Sequence, residues 1–140
     1  MSDTRPPLIA IVDDEESVRV ALRRLCVASG LEARAFASAQ QLFDSLEHAR
    51  PDCLVLDVHM PGLNGLETQA WLRERGIHIP AIMITGRDDE TTRTRSIALG
   101  ASAYLSKPVD ANVLIDAIDA AIRAVPLPHR SVILSSTLPS

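Results

Sequence analysis

Cys53-Leu54-Val55-Leu56-Asp57-Val58-His59-Met60-Pro61-Gly62 decides how this chain is built. Four apolar residues in a row, with no polar alternation, read as a strand buried on both faces, the pattern of parallel sheets. The run ends in a carboxylate, Asp57, and the turn residues of 60–65 follow it. Working outward, the same arrangement returns three times. Leu8–Val12 runs into Asp13 and Asp14, residues 81–84 run into Thr85, and Ala103–Ser106 runs into Lys107. If these runs are parallel strands of one sheet, all the polar heads emerge at its carboxyl edge, where open α/β sheets bind ligands.

The segments between the runs have helical spacing. Val18, Ala21, Leu22, Leu25 and Ser29 share one face, and Gly30 ends that pattern. Residues 31–36 alternate as a weaker strand. Ser38 caps a helix carrying Leu42, Phe43 and Leu46, which stops before Pro51. A third helix follows the turn and reaches about Arg75, and Pro80 opens the next strand. Asp110 caps the last helix, with Leu114, Ala117, Ile118, Ala121 and Ile122 on one face. Five β-α units with right-handed crossovers predict a doubly wound α/β fold with a five-stranded parallel sheet. The domain spans 8–124, preceded by an arm, 1–7. Residues 125–140 read as a tail or linker, broken by Pro126 and Pro128, with Val132-Ile133-Leu134 its one sticky patch.

Bulk properties narrow the function. At 140 residues the chain makes one domain, and 46% hydrophobic with 3% aromatic content means a core of Ile, Leu, Val and Ala. A net charge of −4 gives no electrostatic attraction to nucleic acid. Cys26 and Cys53 lie among apolar neighbours and read as buried thiols of a reducing compartment. There is no apolar stretch of membrane-spanning length and no signal-peptide region, so the expected location is cytoplasmic.

Asp13, Asp14 and Asp57, gathered at one sheet edge, would repel by roughly 4 kcal/mol per close pair at an effective dielectric near 20. Lys107 alone cannot neutralise three of them. An oxygen-only set of this kind favours Mg²⁺, which keeps several waters and shares its shell with phosphoryl groups. A cation, an ammonium and a threonine hydroxyl converging on one carboxylate are parts for phosphoryl transfer, with Asp57 as nucleophile.

The motifs Val12-Asp13-Asp14-Glu15, Leu56-Asp57-Val58-His59-Met60-Pro61-Gly62, Thr85-Gly86 and Lys107-Pro108 together resemble the receiver domain of two-component response regulators. The stretch 53–66 is most similar to the nitrogen-fixation regulator subfamily. The resemblance implies a flavodoxin-like (β/α)5 fold with strand order 2-1-3-4-5. It implies that Asp57 accepts phosphate from a sensor histidine kinase or phosphotransfer protein. Asp14, Asp57 and the backbone carbonyl of His59 would hold Mg²⁺, with Asp13 acting through water. Thr85 would bond a phosphoryl oxygen after activation, Lys107 would pair with the phosphoryl group, and Tyr104 would swing inward when Thr85 moves. Lys107-Pro108 matches the family's cis peptide.

On this reading the chain is a switch rather than a turnover enzyme, stand-alone or the receiver part of a longer regulator. Expected contacts are protein ones, including a homodimer through the face near the last two helices, with no direct nucleic-acid or membrane binding. Two alternatives stand beside it. One is a receiver-fold binding or dimerisation module that does not depend on phosphorylation. The other is a phosphohydrolase of the haloacid dehalogenase type, which needs a second Asp where His59 stands. Two departures from the family bear on signalling. The helix after Thr85 reads Asp88-Asp-Glu-Thr-Thr-Arg-Thr-Arg-Ser96, weak in helix formers. The positions two after Asp57 and two after Thr85, where receivers tune phosphate lifetime, hold the bulky His59 and Arg87.

Overall fold

The structure, a computed structural model, describes residues 5–125; residues 1–4 of the arm and 126–140 of the tail lie outside the described residues. Five strands and five helices alternate: β1 Leu8–Val12, α1 Glu16–Ala28, β2 Glu32–Phe36, α2 Ala39–Ser45, β3 Cys53–Asp57, α3 Gly65–Glu74, β4 Ala81–Thr85, α4 Glu90–Ala98, β5 Ala103–Ser106 and α5 Ala111–Ala124. All pairings are parallel, in the order β2-β1-β3-β4-β5. The expected topology is therefore the observed one.

Each strand feeds two cores because successive side chains point to opposite faces. Ile9, Ile11, Cys53, Val55, Ile82 and Ile84 pack under α1 and α5, against Leu22, Cys26, Leu114 and Ile118. Ala10, Val12, Leu54, Leu56, Ala81 and Met83 face the other way, toward Leu42, Leu66 and Leu72 of α2 and α3. The buried-on-both-faces reading of 53–56 holds, since every residue of β3 and of β4 is buried. Cys26 and Cys53 are buried free thiols, and burial raises them to about 11 and about 12 respectively.

Helix starts follow their caps. Ser38 Oγ accepts from the Gln41 N–H, and Asp110 accepts from the Val113 N–H. Asn64 and Glu67 form a reciprocal capping box that fixes the start of α3. One face assignment needs correcting. Ser29 is the exposed C-cap of α1, and its place on the inward face is taken by Cys26. Ala21 is also exposed; Val18, Leu22 and Leu25 carry the packing. The cause is that the stripe centres on Leu22 and Cys26, four apart, with Val18 and Leu25 beside them, and the helix ends before Ser29 can extend it.

α4 is the thinly held helix. Its only buried residue is Ser96, whose hydroxyl donates back to the Thr92 carbonyl, while Ile97 is 60% exposed. With so little burial, nine residues rich in Thr, Arg and Ser make a marginal helix. Hydrogen exchange is expected to show α4 as the least protected helix, well below α1 and α5. Protection equal to that of α1 would show that burial does not set its stability.

Candidate functional site

The alternation that builds the two cores also builds the site. Asp13 continues the series Ile9, Ile11; Asp57 continues Cys53, Val55; and Lys107 continues Ala103, Leu105. These three heads thus emerge on the α1/α5 side of the carboxyl edge. Thr85 follows Ala81 and Met83, and shares the opposite side with Tyr104.

Lys107 is the hub. Its Nζ lies 2.8 Å from Asp13 Oδ2, 3.4 Å from Asp57 Oδ2 and 3.5 Å from Glu15 Oε1. Asp13 and Asp57 are buried, whereas Asp14 is exposed. Backbone bonds fix the strand ends: Asp13 N–H donates to the Phe36 carbonyl, Val58 N–H to Ile84, and Lys107 N–H to Thr85. Lys107-Pro108 is cis, as expected. The Glu15 N–H donates to Asp13 Oδ1 at 2.9 Å, and the His59 N–H donates to Asp57 Oδ1 at 3.1 Å. An open cleft of about 400 Å³ lies above these groups, with His59 and Arg87 on its rim.

Burial pushes the Asp57 carboxyl up to about 6; the His59 N–H pulls it down, the Asp13 charge raises it, and Lys107 lowers it again. Burial alone would depress Lys107, but Asp13 and Asp57 outweigh it and hold the ammonium above its ordinary value. Lys107 is therefore charged and shared between two buried carboxylates.

One carboxylate oxygen from each of Asp13, Asp14 and Asp57 falls within 4.8 Å of the others. Two of the three are buried and all donors are oxygen, which suits a hard divalent cation that keeps part of its water shell. The donor set fits Mg²⁺.

Thr85 and Tyr104 are placed less simply. Thr85 is fully buried, and its hydroxyl is tied to Arg87, donating to the carbonyl at 2.8 Å and accepting from the N–H at 3.0 Å. The Tyr104 ring lies inward, 9% exposed, with its hydroxyl toward Thr85 and the Asp89 backbone.

Three residues have roles at the site that the sequence did not assign. Glu15 reaches Lys107. Arg19 Nη1 donates to the Asp13 carbonyl at 2.9 Å and steadies the acidic loop from α1. The third is Gly65, where a Cβ would stand 2.7 Å from the Asp57 carbonyl oxygen and 3.2 Å from Val58 Cα. Backbone on both sides leaves no flexible atom to yield. Gly65→Ala is expected to destabilise by about 1–3 kcal/mol despite the better helix propensity of Ala. Denaturant unfolding measures this, and a midpoint at or above the parent's would contradict the close approach.

With this geometry in view, comparison with known proteins is decisive. The family model of the response regulator receiver domain matches residues 9–119. The chain belongs to the response regulator receiver family. Nodulation protein W of Bradyrhizobium diazoefficiens is 42% identical over 114 residues, which cover 81% of this chain and 50% of that protein. Response regulator protein TodT of Pseudomonas putida is 37% identical, covering 90% of this chain and 55% of its own length. The crystal structure of FixJ-N superposes with a TM-score of 0.80 at 32% identity, covering 90% of this chain and 98% of that one. These relatives place the receiver in the nitrogen-fixation-like subfamily. The chain spans about half the length of the curated relatives it matches. Among the described residues, no helix is long and apolar enough to cross a membrane.

Proposed function

We propose that this receiver is a phosphoacceptor switch in which Asp57 takes a phosphoryl group from a phosphohistidine of a sensor kinase or phosphotransfer protein. The observation that carries this is the ammonium of Lys107 bridging two buried carboxylates, Asp13 and Asp57, beside the exposed Asp14. An Asp57 oxygen attacks phosphorus, the P–N bond to the donor imidazole breaks, and the imidazole leaves as its bonding electrons take up a proton. The product is an acyl phosphate. Lys107 needs little movement to follow the charge from the carboxylate to the new phosphoryl oxygens. Asp14, Asp57 and the His59 carbonyl, with Asp13 through water, would hold Mg²⁺, which when bound offsets charge on the equatorial oxygens. Thr85 would release Arg87 to bond a phosphoryl oxygen.

The chain thus acts as a switch, not a turnover enzyme, in the cytoplasm, alone or as the receiver part of a longer regulator. Residues 8–124 form the switching domain, followed by a tail or linker. An apolar groove beside Lys107, lined by Val18, Leu22, Leu25, Pro108 and Val109, suits a helix of the phosphodonor. The face near the last two helices leaves Ile97 60% and Val113 49% exposed and suits a second copy of the chain. The test is transfer from a phosphorylated kinase or phosphotransfer protein, paired with sedimentation before and after labelling. Transfer followed by changed self-association supports the switch. Self-association that is identical with and without label, and in chains that accept none, would favour the phosphorylation-independent docking module.

A further inference from the structure

The sheet carries a second cleft at the edge opposite Asp57. Where Pro80 enters β4 and Ser102 enters β5, about 270 Å³ opens between α3 and the end of α5. Leu72, Ile77, Ile79, Pro80 and Ala121 give it apolar walls. Among them stands one buried polar side chain, Gln69, which is 5% exposed and whose Oε1 has no hydrogen-bond partner among the described residues. A buried amide left unpaired is costly. The cleft therefore suits an occupant that brings hydrogen-bonding groups as well as apolar ones.

Electrostatics narrow that occupant. Three helices end beside the cleft, with Ile77, Gly100 and Val125 just past the last turns of α3, α4 and α5. Helix carboxyl ends carry partial negative charge, which disfavours an anion. The Arg73 guanidinium answers one of them, donating to the Leu99 carbonyl at 3.1 Å, and disfavours a cation. An uncharged backbone with apolar side chains fits both, and its N–H and C=O match the two ends of the Gln69 amide. Such a segment is close at hand. Val125 borders the cleft, and beyond it come Pro126 and Pro128, which cannot prolong α5, and then the apolar triplet Val132-Ile133-Leu134. From Val125 to Val132 the chain spans up to about 25 Å, ample to return to a cleft that Val125 itself lines.

We propose that this cleft is the seat of the chain's own segment Val132-Ile133-Leu134, whose side chains meet the apolar walls while its backbone pairs with the Gln69 amide. The tether decides between this occupant and a second copy of the chain. A short connection presents its own segment at about millimolar effective concentration, far above that of a second copy in micromolar protein. A small cleft that binds weakly is then filled from within. The inference does not rest on the phosphoacceptor reading, because the cleft and Asp57 lie at opposite edges of the sheet. In a regulator that continues beyond these residues, the seat sets the direction in which the chain leaves the receiver.

A nitroxide on Ser136→Cys in the full chain reports where the segment lies, since Cys26 and Cys53 are buried and do not compete for the label. Strong paramagnetic broadening of the Ile77, Ile79 and Ser102 amide resonances is expected, with the Asp14 and Glu15 amides at the far edge untouched. Any segment joined at Val125 broadens some nearby amides, so the deciding comparison is with Ile133→Asp. That variant cannot disturb the core, and it should lose most of the broadening and shift the Gln69 side-chain amide resonances. Gln69→Ala should lose part of the broadening. No broadening in the parent, or the same broadening in Ile133→Asp, overturns the proposal. Loss in Ile133→Asp with none in Gln69→Ala overturns the pairing with the amide. Equal broadening when the nitroxide sits on a different chain from the observed amides makes the occupant a second copy and overturns the intramolecular seat.

Discussion

Asp57→Asn is expected to abolish phosphoryl acceptance and, at neutral pH, to make the fold more stable than the parent. The first effect follows from chemistry: an amide is a poor nucleophile and a weak metal ligand. The second follows from burial. The folded protein raises the Asp57 carboxyl from 3.8 to about 6, chiefly by desolvation, with the Asp13 charge adding to it against the His59 N–H and Lys107. A group held more tightly protonated in the folded state favours folding fully below its unfolded value and loses that contribution as pH rises through about 6. At neutral pH the ionised carboxylate therefore costs the fold up to roughly 3 kcal/mol. Asparagine carries no charge, so the variant's advantage should be present above pH 6, shrink across the window from about 6 down to 3.8, and vanish below it. Urea unfolding across that range in chelator measures it. A variant less stable than the parent at neutral pH, or a pH-independent difference, would contradict the electrostatic account.

Mg²⁺ should remove the same penalty by another route. Only the folded chain gathers Asp13, Asp14 and Asp57 within 4.8 Å, so the ion binds the folded state and shifts unfolding by mass action. At a hundred times its dissociation constant the gain is about 2.7 kcal/mol. Asp14 is the exposed member of the set and has no ion pair with Lys107, so Asp14→Ala should leave the fold intact and lose most of the gain. Melting curves with and without millimolar Mg²⁺ decide. An equal shift in Asp14→Ala would place the ion elsewhere.

How much of this was legible in sequence depended on whether a feature is periodic. The four strand-end heads were visible because β3 and β4 are buried on both faces, which leaves uninterrupted apolar runs pointing at Asp57 and Thr85. Caps at Ser38 and Asp110 were visible from residue type. The weakness of α4 was readable too, since its lack of an apolar stripe is the structure's lack of burial. What escaped depends on three-dimensional approach. Gly65 gave a turn signal in the sequence, but its closeness to the Asp57 carbonyl comes from the start of α3 returning against the end of β3. Asn64 and Glu67 do carry the spacing of a capping box and could have fixed the start of α3. Nothing local announces that Arg19 reaches the Asp13 carbonyl, or that Arg93 bridges Asp88 and Tyr104. Those contacts span six residues, five residues and two elements, and side-chain direction rather than pattern decides them.

The central claim is that Asp57 is the phosphoryl acceptor and that the acid cluster's cation makes the transfer possible. Exposure of the parent chain to acetyl phosphate, followed by reductive trapping of acyl phosphate and peptide sequencing by mass spectrometry, tests it most directly. The account predicts one modified residue, Asp57, in the presence of Mg²⁺, with the signal lost in chelator and in Asp14→Ala. Modification of a different residue, label that persists undiminished in Asp57→Asn, or full labelling without divalent cation would contradict it.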